Sequence, residues 1–359
     1  MNQGSTDQHT VSAAVLRSRG GPLTIESLLM EGPRSDEVLV RLVASGICHT
    51  DIAMMDGWDD TMGPVVLGHE GAGVVEAVGT NVEEFRSGDP VVVSYAFCGQ
   101  CGQCRKGKPF DCLHFFELNF GFRRLDGSNA LRNSGVHGHF FGQSSFASHA
   151  LVASRNLVPV SRALPLPLLA PLGCGLQTGA GTILHSLDVA PGESVGIFGS
   201  GSVGLAAVMA ARIAGASQII AIDRQPARLA LARELGATCV LDSRQDDLAV
   251  QLAAGLDCLV DTTGDPALGR VAASMLKPRG RAAFVAGGTV PKAMAGRRHL
   301  SVIQGDAIPR LFIPELLRLF QAGRFPFDRL VKFYDFRQIN RAIADVRRGD
   351  TVKAVLRFG

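Results

Sequence analysis

Between about residues 11 and 160, apolar residues fall in short runs broken by turn formers: EVLVRLVASG, GAGVVEAVG and DPVVVSYAF. Short β-branched runs bounded in this way predict strands, and their number predicts a β-rich domain. From Glu193 to Gly287 the texture changes. Apolar strands such as SVGIFG and QIIAID alternate with Ala/Leu-rich helical stretches through Val203–Ile213 and Arg228–Leu235, followed by TCVLD, LDCLVD and RAAFVAG. That alternation predicts βαβ units on a parallel sheet. The C-terminal segment reads as helix then strand, and VKAVLRF is suited to return as an edge strand. No internal repeat or low-complexity segment interrupts the pattern.

The chain has 359 residues, 46% of them hydrophobic, which is enough for two sizeable domains with ordinary cores. Its 36 basic and 33 acidic residues are interspersed and leave a net charge of +3, so no block marks a nucleic-acid or membrane surface. No run reaches the ~18 uninterrupted apolar residues of a membrane span. MNQGSTDQHTVSAAVL lacks the basic and apolar regions of a signal peptide, so a cytoplasmic location is expected.

Cysteine placement changes the picture most. Four of the eight cysteines, Cys98, Cys101, Cys104 and Cys112, are spaced C-x2-C-x2-C-x7-C. One loop can wrap four such thiolates around a tetrahedral zinc with no position left for water, which predicts a structural site. Cys48, His69 and Cys174 are dispersed but have the composition of a catalytic zinc with an open position. This grouping favours metal thiolates over disulfides. Cys239 and Cys258 lie in strand-like runs and read as small buried hydrophobes.

The run Gly199-Ser200-Gly201-Ser202-Val203-Gly204 follows a strand and opens a helix, as a dinucleotide fingerprint requires. Gly199 permits the turn, Gly201 lets the backbone approach a pyrophosphate, and Gly204 lets helix and strand pack closely. Asp223, nineteen residues beyond Gly204, is placed to accept the ribose hydroxyls and to repel a 2′-phosphate, so NAD is expected over NADP. Arg224 and Arg228 are the residues able to turn toward such a phosphate. Gly71 and Gly73 sit in a second glycine-rich stretch, GHEGAGVVEAVG. A strand rather than a helix follows it, so they read as structural.

With these residues in view, the chain resembles the zinc-containing medium-chain alcohol dehydrogenases. The resemblance is carried by Gly46-Ile47-Cys48-His49-Thr50-Asp51, Gly68-His69-Glu70-Gly71, the four-cysteine lobe, Gly173-Cys174-Gly175, the glycine loop and Asp223. FFELNFGFRRLDGS and FFGQSSFASHALV look like the aryl-alcohol or benzyl-alcohol branch, with geraniol-type dehydrogenases similar. The resemblance implies a Rossmann doubly wound parallel sheet inserted in a GroES-like β-rich catalytic domain. Residues 1–172 would form the catalytic domain with its zinc lobe at 95–115, 173–305 the NAD-binding domain, and 306–359 the return to the catalytic domain.

It also implies two zinc ions per chain, NAD, a small alcohol or aldehyde substrate, and a homodimer or homotetramer. Cys48, His69 and Cys174 would hold the catalytic zinc. Thr50 would accept the alcohol proton, Asp51 would anchor the second nitrogen of His69, and Glu70 would sit beside the metal without being a resting ligand. Cofactor contacts would include His49 and Lys353 at the pyrophosphate, and Thr178 with the Val285–Gly287 backbone at the nicotinamide, besides Ser202, Val203 and the glycines. The histidine that often ends the family's proton relay is replaced by Ala53. The reaction implied is reversible oxidation of a primary aromatic or allylic alcohol. A thiol-dependent formaldehyde dehydrogenase of the same superfamily is the alternative, and a zinc-free binding protein on this fold would lack these ligands.

His137, His139, His149, His185 and His299 have no such company and read as surface or packing residues. Phe115, Phe116, Phe120, Phe122, Phe140 and Phe141 read as core, part of it suited to an apolar pocket.

Overall fold

The computed structural model describes residues 8–132, 134–244, 247–267, 273–285 and 298–359. The chain divides into two compact units, Met1–Cys174 with Ile308–Pro314 and Val331–Gly359, and Gly175–Ala307 with Glu315–Leu330.

The first unit contains two sheets. In the smaller, Gln8–Leu16 and Leu23–Glu31 pair as an antiparallel hairpin flanked by Val65–Val66 and Leu131–Arg132. The larger is ordered Val331–Asp335, Lys353–Arg357, Glu37–Gly46, Gly71–Val78, Pro90–Val93, Leu157–Pro159, with His149–Ala153 also paired to Glu37–Gly46. Val38, Val40 and Leu42 pack with Val75, Val91, Val93, Ala150 and Val152 in one apolar cluster. Each of these valines and the leucine contributes about 1.5–3 kcal/mol by leaving water.

Glu37–Gly46 shifts register between Leu39 and Val40 and again between Leu42 and Ala44. Irregularities of this kind bend a strand. Glu37–Arg41 pairs with His149–Ala153, whereas Ala44–Gly46 pairs with Val355–Arg357. The end of this strand delivers Cys48 to the site.

The second unit is a parallel sheet ordered Cys239–Asp242, Gln218–Asp223, Ser194–Phe198, Leu256–Asp261, Leu276–Phe284, Arg298–Ser301. In chain order this is 3-2-1-4-5-6, the doubly wound dinucleotide-binding topology, with its switch point beside the first strand. Phe198, Ile222, Leu241, Leu259 and Phe284 build the core on one side. The helix Ser202–Ala214 follows the first strand and ends at Gly215, which takes the left-handed conformation at φ 81°. No helix among the described residues is long and apolar enough to cross a membrane.

Candidate metal and nucleotide sites

Cys48 precedes the helix His49–Gly57, His69 lies just before the strand Gly71–Val78, and Cys174 follows the turn Ala170–Gly173. Ligand atoms of Cys48, His69, Glu70 and Cys174 all lie within 4.8 Å of one another, and all four residues are buried. Gly173 allows the close approach, since a Cβ there would sit 2.1 Å from the Val93 carbonyl oxygen.

Asp51, fully buried, organises the cluster. Its carboxylate accepts from the Cys48 amide at 2.8 Å and the Gly68 amide at 3.1 Å, and pairs with His69 Nδ1 at 2.8 Å. This leaves His69 Nε2 buried with no hydrogen-bond partner. A hydrogen bond with Cys174 holds the Cys48 thiol well below its usual range, against burial, with help from His69 and Lys353. Burial opposes charge on His69, but Asp51 and Cys48 raise it well above the ordinary value. A sulfur anion that demands positive charge, beside an unpaired imidazole nitrogen, fits a divalent ion bound by two thiolates and one imidazole. Thr50 Oγ1 lies 3.8 Å from Cys48 Sγ.

The lobe is built differently. The sulfurs of Cys98, Cys101, Cys104 and Cys112 also lie within 4.8 Å of one another, with Cys98 and Cys104 Sγ 3.9 Å apart. A tetrahedral ion with Zn–S bonds of ~2.3 Å sets sulfurs about 3.8 Å apart, whereas a disulfide needs ~2.05 Å. All four cysteines are free. The amides of Gln100 and Cys101 donate to Cys98, that of Cys98 to Cys112, and that of Leu113 to Cys101. Main-chain hydrogen bonds at Cys104 and Leu113 hold the Cys101 thiol down to about 6.

In the second unit, Gly199 has φ 91°, and a Cβ on it would meet Thr262 Oγ1 at 2.4 Å. At Gly204 a Cβ would fall 1.8 Å from the Gly199 carbonyl oxygen, whereas at Gly201 it would meet nothing within 4 Å. The first and third glycines therefore serve the protein's own packing, and the middle one fronts open space of the kind a pyrophosphate needs. Ser202, Val203 and Gly204 form the first turn of the helix behind it. Asp223 accepts from the Ser200 amide at 2.6 Å and the Gln225 amide at 2.9 Å. Close by in sequence, Ser200 Oγ and Arg228 Nε are buried without a hydrogen-bond partner, and Arg224 is exposed. Thr178 lies in the helix Gly175–Gly181, which packs so tightly on Ser202–Ala214 that a Cβ at Gly179 would meet the Val203 carbonyl oxygen at 2.0 Å. The Val285 amide donates to the Asp261 carbonyl. Gly287 lies outside the described residues. His49 is exposed at the start of its helix.

One expectation is corrected. Lys353 is 1% exposed, and its ammonium donates to the Ile47 carbonyl at 3.1 Å and to both Glu70 carboxylate oxygens at 2.9 Å. Its three N–H groups are thereby used inside the first unit, with none left for a pyrophosphate. Burial pushes the Glu70 carboxyl up to about 7 while Lys353 pulls it down. Phe116, read as core, is likewise corrected: it is 68% exposed.

Three roles escape a reading of the sequence, although Gly46 and Phe141 are themselves named in it. Gln143 donates to the His69 carbonyl at 2.9 Å and accepts from the Gly71 amide at 3.1 Å, bracing the main chain around His69. Gly46 makes room for Glu70, whose Oε2 would lie 2.0 Å from a Cβ there. Phe141 stacks on the His69 ring. Their partners are distant in sequence, and the one available signal was the glycine that ends a strand.

Residues 34–162 match the alcohol dehydrogenase GroES-like domain and residues 202–305 the zinc-binding dehydrogenase domain. The geraniol dehydrogenase of Castellaniella defragrans is 44% identical, over 97% of this chain and 98% of that protein. Among solved structures, an alcohol dehydrogenase zinc-binding domain protein from Burkholderia ambifaria is 47% identical with a TM-score of 0.94. The benzyl alcohol dehydrogenase of Acinetobacter calcoaceticus is 42% identical with the same TM-score of 0.94. Each alignment covers 98% of this chain and 100% of the other. The chain belongs to the zinc-containing medium-chain alcohol dehydrogenases. It is an enzyme of alcohol oxidation that uses zinc and a nicotinamide cofactor and acts on small alcohols or aldehydes.

Proposed function

We propose that this enzyme oxidises primary aromatic or allylic alcohols, of the benzyl alcohol or geraniol kind, reversibly to their aldehydes, with NAD preferred over NADP. The observation that carries this reading is the full-length likeness to two dehydrogenases named for a benzylic and an allylic alcohol.

When bound, zinc lowers the pKa of the substrate hydroxyl and NAD accepts the hydride. Cys48, His69 and Cys174 hold the catalytic zinc, and Cys98, Cys101, Cys104 and Cys112 hold a second, structural one. Asp51 fixes the His69 tautomer by accepting from Nδ1. Thr50 Oγ1 would accept the alcohol proton while passing its own on, and with Ala53 in place of a histidine the proton would leave through water, the cofactor ribose or another group. Glu70 is tied to Lys353 and is not a resting ligand. Gly199, Gly201, Ser202, Val203 and Gly204 receive the pyrophosphate together with His49. Asp223 binds the adenosine ribose, flanked by Arg224 and Arg228, and Thr178, Val285 and Gly287 border the nicotinamide. Residues 1–172 with 306–359 serve as the catalytic domain and 173–305 as the cofactor domain, save that Glu315–Leu330 belongs to the second compact unit, in a cytoplasmic homodimer or homotetramer.

A substrate panel read by NADH absorbance tests the proposal. Benzyl, cinnamyl or geranyl alcohol should exceed ethanol in kcat/KM by roughly a hundredfold or more, because a whole ring or isoprenoid chain forfeits more than the ~1–3 kcal/mol of one methylene. Equal rates for ethanol and benzyl alcohol would overturn the substrate class. Oxidation of a thiol–formaldehyde adduct alone would put the alternative in its place.

A further inference from the structure

By geometry the His69 side chain makes one hydrogen bond, from Nδ1 to Asp51, and Nε2, beside the Cys48 thiol, makes none. The Cβ–Cγ bond and this hydrogen bond hold one edge of the ring, and the groups that touch its faces limit the tilt that remains. Phe141 touches one: the ring centroids are 4.4 Å apart and the planes 26° from parallel. Phe140 approaches edge-on at 5.5 Å and 87°.

The backbone that puts Phe141 there is unusual. Its φ is 53° and ψ 30°, the left-handed region disfavoured for a bulky side chain. His139 at φ 62°, Gly142 at 65° and Ser144 at 51° share that region within the same strap. The strap is held against residues 66–71 by many bonds. Ser144 Oγ donates to the Val66 carbonyl, the Phe146 amide to that of Leu67, the Ser145 amide to that of Gly68, and the Gln143 amide group to that of His69. A strained conformation persists only where its surroundings over-determine it. Here they do, and the product is a flat ring laid on an imidazole.

Simple core filling does not require this arrangement, since a branched aliphatic side chain would occupy similar volume. We propose that Phe141 is a positioning residue: its stacked ring sets the plane of His69 and so aims the unpaired Nε2 at the metal. The inference rests on reading His69 as a zinc ligand.

The test compares the holoenzyme with Phe141→Leu, which fills space without a flat face, and Phe141→Tyr, which restores the face. Partners that orient a metal-bound histidine typically change metal affinity by about 10- to 100-fold. Phe141→Leu should lose the catalytic zinc to a chelator faster by a factor in that range and alter the visible spectrum of the cobalt-substituted catalytic site, with the lobe zinc as internal control. Phe141→Tyr should restore both. Trp58, the single tryptophan, sits edge-on to Phe122 at 4.9 Å, and Phe122 stacks on Phe140 at 5.5 Å. Its fluorescence therefore reports whether the aromatic packing survives each substitution.

Wild-type zinc loss and an unchanged cobalt spectrum in a folded Phe141→Leu would overturn the proposal, as would equal loosening of both zincs. If that variant does not fold, the unaltered protein decides. Ring-current shielding from Phe141 should move the carbon-bound ring protons of His69 upfield, and its absence sinks the stack whether or not metal is present. Metal analysis that finds no catalytic zinc sinks the ligand reading instead.

Discussion

The two cysteine sites use the same atom type in opposite ways. In the lobe, four sulfurs come from one short loop, two of its cysteines are only half-buried, and hydrogen bonds come from the loop's own amides. At the other site the groups come from residues 48, 69 and 174, all are buried, and their orientation depends on Asp51, Gln143 and Phe141. A short loop is entropically easy to close, and a dispersed site needs the whole fold in place. The lobe is thus a self-contained clasp, and the dispersed site is a product of the architecture.

The strongest challenge to this contrast is metal removal. Brief exposure to a chelator should abolish activity and lower zinc from two ions per chain to one, with the circular dichroism spectrum unchanged. Loss of the lobe zinc first, or a single zinc in fully active protein, would break the comparison. Thr50→Ala should come next, with kcat lower by about 10²–10⁴-fold, as for a positioned proton-transfer group, and NAD affinity unaltered. Turnover equal to wild type would remove the threonine from the mechanism.

The nucleotide loop is an intermediate case, a local motif with an open face. NAD should exceed NADP by about tenfold or more in kcat/KM, equivalent to roughly 1.4 kcal/mol, and Asp223→Ala should narrow that gap. If the wild-type enzyme uses both cofactors equally, Arg224 or Arg228 is the residue to replace next. The smallest effect concerns the lobe's attachment. Arg155 Nε donates to the Phe97 carbonyl at 2.7 Å. Arg155→Ala should lower unfolding free energy by about 1–2 kcal/mol in denaturant titration while both zincs remain.

These differences also explain what the sequence reveals. The lobe is legible because its ligands are neighbours in the chain, and the parallel sheet because strands and helices alternate along it. Cys48, His69 and Cys174 stand out by composition and resemblance, but nothing local announces that Gln143 braces His69 from 74 residues away. The resemblance alone implies that Lys353 meets the pyrophosphate. Its actual partner, Glu70, is 283 residues distant and is reached only because Lys353–Arg357 pairs beside Ala44–Gly46. Phe141 is hidden for another reason, since a left-handed phenylalanine contradicts its own backbone preference.

The pairing of Lys353–Arg357 with Ala44–Gly46 also has a temporal meaning. On the ribosome, Cys174 emerges well before Lys353. At about 5–20 residues per second, the segment between them takes on the order of ten to forty seconds to make. Throughout that interval the Lys353 ammonium that binds Glu70 in the folded protein has not yet been made. The four ligands of the lobe, all within one loop, are made before Cys174. Translation therefore completes the ligand set of the lobe before that of the dispersed site.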